Sequence, residues 1–138
     1  MALNLYNYLT ASKKYPERAN HPEVTDIVTS NATKLLTKVS DLLTELGIDP
    51  EDKDVSSGFR PSSVNKAIPN AAKKSLHMNG EAIDIKDTDG SLGKLIASRP
   101  DLLRKYGLFI EDLKSTKGWV HLDMSKTRSD RPSRSFIP

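Results

Sequence analysis

The sequence predicts an α+β domain, with a small antiparallel sheet packed against a long N-terminal helix and a second helical segment. Three observations carry that expectation. Residues 22–47 hold one apolar stripe at helical spacing, residues 81–85 alternate with a period of two, and residues 108–124 read as two short strands around a polar turn. A chain of 138 residues can bury one self-sufficient core. Residues 1–138 are therefore expected to form a single domain, with 1–21 as a lead-in and 125–138 as an extended basic tail on its surface.

In the lead-in, Leu3, Leu5, Tyr6 and Leu9 suit a short helix that Tyr15-Pro16 ends. The long helix follows, its stripe made by Val24, Ile27, Val28, Leu35, Val39, Leu42, Leu43 and Leu46. Pro22 suits its first turn and Gly47 the position just past its end. This helix packs a core and carries no chemistry. After a turn-rich stretch, residues 55–60 read as a short strand entering a loop. The loop, residues 61–75, is polar with two prolines, and a connection of that length is often functional.

Residues 81–85 form the clearest strand, with Ile83 and Ile85 on one face and Ala82 and Asp84 on the other. Asp89-Gly90-Ser91 is a turn and helix cap, and Leu92, Leu95 and Ile96 begin the second helical segment. Pro100 restarts it and Gly107 closes it. Leu108-Phe109-Ile110 and residues 119–124 then pair as an antiparallel hairpin. On its second strand Trp119, His121 and Asp123 share a face, and Trp119 is expected to pack in the hairpin core.

Composition narrows the chemistry. The absence of cysteine excludes disulfides, iron–sulfur clusters, thiolate metal sites and cysteine nucleophiles, so a metal can be held only by His, Asp and Glu. There are three histidines. The net charge of +3 is a mild surplus. Lys126, Arg128, Arg131 and Arg134 in the tail have no aromatic residues between them, so nucleic acid is not an expected partner. The first residues lack the basic and apolar regions of a signal peptide, and no stretch is apolar enough for membrane insertion.

His77 sits before the alternating strand, Asp84 within it and His121 on the C-terminal hairpin. Two histidines and a carboxylate are a standard donor set for catalytic zinc, which leaves a fourth position open. Gly80 permits the sharp turn needed to bring His77 to the sheet face that bears Asp84. His21, beside Pro22 at a helix start, reads as an ordinary surface or hydrogen-bonded residue.

SLHMNGEAIDI followed by GWVHLDM resembles the zinc D-Ala-D-Ala peptidases of the M15 clan. Their S-x-H-x-x-G-x-A-x-D pattern and later W-x-H are met by Ser75, His77, Gly80, Ala82, Asp84, Trp119 and His121. Upstream, Ser57, Gly58, Phe59, Arg60 and Asn65 resemble the clan's S-G-[YF]-R…N segment. The likeness covers roughly residues 25–124 and is strongest to the small, often phage-encoded branch. The hedgehog signalling domain shares the metal arrangement without the wall-cleaving role.

The resemblance implies Zn²⁺ on His77, Asp84 and His121, with Arg60 facing the substrate carbonyl and Ser75 hydrogen-bonding substrate near the metal. It implies hydrolysis of D-amino-acid-containing bonds in peptidoglycan stem peptides or cross-bridges, by a phage lysin or a virion component associated with phage particle proteins. Without a signal peptide, such a protein would be made in the cytoplasm and reach the wall by release or delivery. For the general base, Gly118 occupies the position that some branches fill with an acid. Glu111 fits the alternative placement at the end of the preceding strand, with Asp112 and Asp123 as competitors. Asp123 is equally suited to orient His121. The contrasting expectation is a catalytically silent, zinc-stabilised structural or binding domain. Residues 61–74 and the hairpin tip are where substrate specificity is expected to reside.

Overall fold

A computed structural model describes residues 3–11, 14–69 and 75–138. Helix α1 (Leu5–Thr10) opens the chain, its first turn capped by Asn4, which accepts a hydrogen bond from the Asn7 N–H. A 3₁₀ turn, Pro16–Asn20, follows. The long helix α2 spans Asp26–Glu45 and begins later than Pro22, because the Thr25 hydroxyl caps it by accepting from the Val28 N–H. Its buried stripe is Val28, Ala32, Leu35, Leu36, Val39, Leu42 and Leu43. Ile27 does not belong to it and is 73% exposed. One residue is about 100° of rotation on a helix, so Ile27 joins the polar face of Asn31, Lys34 and Lys38 instead. Gly47 closes the helix with φ +79°, as expected.

Five strands make one sheet in the order β1-β2-β4-β3-β5. They are β1 (Val55–Ser57), β2 (Ala82–Lys86), β3 (Phe109–Glu111), β4 (Trp119–Asp123) and β5 (Ser135–Phe136). β3 and β4 form the expected hairpin, and β4 pairs antiparallel with β2 over its whole length, setting Asp84 opposite His121. One face of the sheet, through Ile83, Ile85, Ile110, Val120 and Leu122, joins the stripe of α2 in a single core. The opposite face carries Asp84 and His121 and stays open to a cleft. Sequence periodicity thus placed the two faces correctly.

Two further expectations need correction. The tail is not simply a surface extension: β5 pairs parallel with β3, making the sheet mixed, and Arg134 is buried with its Nε donating to the Leu108 carbonyl. Residues 61–75 are also not one long loop, since helix α3 covers Ser62–Ala67. Six residues are too few to print a periodic signal. Residues 70–74 of the expected specificity loop lie outside the described residues.

The second helical segment resolves into α4 (Ser91–Ala97) and α5 (Pro100–Lys105). Asp89 shapes the turn by accepting from the Ser91 N–H, but the buried Asp87 satisfies the first helical donors, its two oxygens accepting from Leu92 and Gly93 at 3.1 and 2.8 Å. Asp87→Ala is expected to cost about 1–2 kcal/mol, read as a lower denaturant midpoint at unchanged slope. Among the described residues, no helix is long and apolar enough to cross a membrane.

Candidate metal centre

Three elements bring the candidate ligands together. His77 lies on a 3₁₀ turn, Leu76–Asn79, that Ser75 caps by accepting from the His77 N–H and that Gly80 ends at φ +75°. Asp84 projects from the middle of β2, and His121 faces it from β4. One ligand atom from each of His77, Asp84 and His121 lies within 4.8 Å of the others. The carboxylate sits between the rings: Asp84 Oδ1 is 2.8 Å from His121 Nδ1 and Oδ2 is 3.4 Å from His77 Nε2.

The outward-turned ring nitrogens are held as well. His77 Nδ1 donates to the Gly58 carbonyl at 2.8 Å, which leaves Nε2 free to ligate a metal. His121 Nε2 lies 2.9 Å from Asp123 Oδ2, which leaves Nδ1 towards Asp84. Each histidine is thereby fixed in ring orientation by a different acceptor. This donor set, two imidazoles and a carboxylate with oriented rings, fits a divalent metal.

Within the cluster, carboxylate and imidazole favour one another's charged forms. Burial pushes the Asp84 carboxyl up, but His77 and the hydrogen bonds from His121 and His77 outweigh it and hold the group well below the usual carboxylate range. Burial lowers His121, yet its bonds to Asp123 and Asp84 raise it to about 9. Burial also raises Glu111, with the opposing pull of His121 too weak to cancel it. That carboxyl is thus moved towards neutrality, as a proton-transfer group requires.

The cleft encloses about 740 Å³, and its lining includes Arg60, Ser75, His77, Asp84, Glu111, Trp119, His121 and Asp123. The β3–β4 register pairs Phe109 with Asp123 and Ile110 with Leu122, so its continuation sets Glu111 opposite His121. The competitors sit differently. Asp112 is not among the lining residues, and Asp123 is fully buried with both oxygens engaged by His121, Ser125 and Arg128. Trp119 is 36% exposed on the cleft rim and not in the hairpin core, because it stands on the His121 face of β4 and not on the Val120 face.

Arg60 is locked in place. Its Nε donates to Ser57 Oγ, its Nη1 to Asn65 Oδ1, and its Nη2 lies 3.6 Å from Asp84 Oδ2. His21 stands outside the cluster, with Nδ1 accepting from the Glu23 N–H. The sequence reading missed Tyr8, whose fully buried hydroxyl donates to the Ala82 carbonyl at 2.7 Å and anchors α1 to the strand that carries Asp84. It also missed the parts played by Arg128 and Phe136, both in the lining of the cleft. Neither Tyr8 nor Phe136 has a local signal, since their partners lie far away in the chain.

Fold and site together define a small α+β domain with a His-Asp-His group able to hold a metal on the wall of an open cleft and Glu111 in the same lining, an arrangement that suits a metal-dependent hydrolase. The chain belongs to the Peptidase M15 family, which residues 11–123 match. M15 peptidases are metal-dependent, so the protein is a metallopeptidase by family. No match was found among curated proteins or among solved structures.

Proposed function

We propose that this protein is a zinc-dependent peptidase that hydrolyses D-amino-acid-containing bonds in peptidoglycan stem peptides or cross-bridges. The observation that carries the proposal is the convergence of His77, Asp84 and His121 with Arg60 and Glu111 around one cleft, in a chain of the M15 family. His77 Nε2, Asp84 and His121 Nδ1 would hold the zinc, which would supply Lewis-acid polarisation of the scissile carbonyl and activation of water.

The chain's own residues do the rest. Glu111 takes the proton of the attacking water and returns it to the leaving amine. Arg60, braced by Ser57 and Asn65, presents a planar cationic fork to the carbonyl oxygen as negative charge develops there. Ser75 accepts from the His77 N–H with one lone pair and keeps its proton to donate to the substrate backbone. Ile68, Trp119 and Ile137 give the cleft an apolar rim, which suits small aliphatic side chains such as alanine methyl groups. The likeness to the phage-type branch supports a lysin or a virion component as the setting. An open cleft favours catalysis over a purely structural zinc site, which would be closed by protein ligands.

The test is digestion of purified peptidoglycan followed by mass spectrometry of the fragments. Zinc-loaded protein is expected to release stem-peptide products cut beside a D-residue, chelation to stop their release, and added zinc to restore it. Intact stem peptides after treatment with zinc-loaded protein, or cleavage indifferent to chelation, would sink the proposal.

A further inference from the structure

The residues that match the M15 family end at 123, yet the chain then folds back over the site. We propose that Arg128 and Phe136, in this returning segment, are positioning residues for the metal centre: they hold Asp123, and through it the His121 ring, in the ligating orientation. The inference rests on the reading of His77, Asp84 and His121 as the metal ligands.

Asp123 has no exposed surface, so its charge must be met by protein groups. Its Oδ1 accepts from the Ser125 N–H at 3.2 Å and from Arg128 Nε at 3.3 Å. Its Oδ2 accepts from Arg128 Nη2 at 2.8 Å and faces His121 Nε2 at 2.9 Å. Arg128 thus grips the carboxylate with two parallel bonds, which fixes its plane as well as its charge. That plane decides where Oδ2 points, and so how the imidazole is turned.

Phe136 braces the same assembly from the other side. The Arg128 guanidinium carbon lies 3.3 Å from the centroid of the Phe136 ring, and that ring meets His121 in an edge contact at 5.8 Å. One aromatic side chain therefore packs on both the residue that holds Asp123 and the residue that Asp123 orients. Phe136 is itself fixed by β5, where it pairs with Glu111 and its carbonyl accepts from the Asp112 N–H at 2.8 Å. The loop from Asp123 to Phe136 closes on the metal face through these contacts and through no covalent tie.

Arg128 also lines the cleft, so the alternative role is direct contact with substrate. The two roles separate by measurement. Zinc affinity is read by competition with a chelator for the wild type, Arg128→Ala, Arg128→Lys and Phe136→Ala, alongside circular dichroism of the metal-free proteins. Arg128→Ala and Phe136→Ala are expected to bind zinc about 10–100-fold more weakly, as loss of outer partners of metal-bound histidines does. Arg128→Lys, which keeps the charge but not the fork, is expected to fall between Arg128→Ala and the wild type. Lys126→Ala, which removes a nearby exposed cation, is expected to leave the affinity unchanged.

Wild-type zinc affinity in folded Arg128→Ala and Phe136→Ala, with only a raised KM, would overturn the proposal in favour of substrate contact. If Arg128→Ala does not fold, Arg128→Lys and Phe136→Ala decide the matter on the same criterion. Equal zinc binding by wild type and His77→Ala would instead overturn the metal-site reading beneath it.

Discussion

Glu111→Gln is expected to lower the turnover of zinc-loaded protein by about 10²–10⁴-fold while leaving its zinc content and its melting behaviour at wild-type values. The amide keeps the size and much of the hydrogen bonding of the carboxylate but cannot take a proton. Glu111 is not one of the three residues that converge on the metal position, so metal binding should not depend on it. Its place at the end of β3, opposite His121 by register, puts it beside the candidate ligands without making it one of them. Half-buried in the cleft, its carboxyl is raised above the ordinary carboxylate range by desolvation, the direction a proton-transfer group needs.

The competing carboxylates make the measurement decisive. Asp112→Asn should leave turnover unchanged, because Asp112 does not line the cleft. Asp123→Asn should weaken zinc binding, because Asp123 Oδ2 faces His121 Nε2. Turnover in Glu111→Gln within tenfold of wild type, with zinc bound, would exclude Glu111 as the base. A matching loss in Asp123→Asn at undiminished zinc affinity would transfer the role to Asp123.

What sequence reasoning reached, and what it did not, follows from the range of each interaction. Strand β2 was legible because Ile83 and Ile85 alternate with Ala82 and Asp84, and a period of two assigns faces without any knowledge of partners. The faces of β4 were legible for the same reason, with His121 beside Trp119 and Asp123, and the pairing of β2 with β4 then sets Asp84 opposite His121. The start of α2 was misplaced because a proline suits a first turn as well as it suits the turn before one, and Thr25 decided the matter. Asp87 was overlooked because Asp89 offers the ordinary turn signal two residues later. The tail read as a solvated basic stretch because nothing local shows that Arg128 meets Asp123, or that Arg134 packs over Phe109 at 3.7 Å. Those pairings exist only once the sheet has formed.

The glycine at position 58 belongs to the same class, and it yields the largest expected effect on the fold. Gly58→Ala is expected to destabilise the protein by about 3 kcal/mol or more and to weaken zinc binding together with it. A β-carbon there would run into the Tyr8 carbonyl oxygen and lie 2.8 Å from Tyr8 Cδ2. Tyr8 cannot give way. Its side chain is fully buried, its hydroxyl donates to the Ala82 carbonyl, and its own carbonyl accepts from the Phe59 N–H at 3.2 Å. The backbone at 58 must therefore move, and with it the carbonyl that accepts from His77 Nδ1. Ring orientation and zinc affinity then fall with the packing, by about 10–100-fold for the metal. Gly47→Ala separates this steric effect from backbone strain. Gly47 has φ +79° with no atom near its missing side chain, so alanine should cost about 1–2 kcal/mol and leave zinc binding untouched. If Gly58→Ala melted like the wild type and held zinc as tightly, the close approach of α1 to the backbone at Gly58 would have no energetic weight. The fixed glycine of the S-G-F-R stretch would then need another reason.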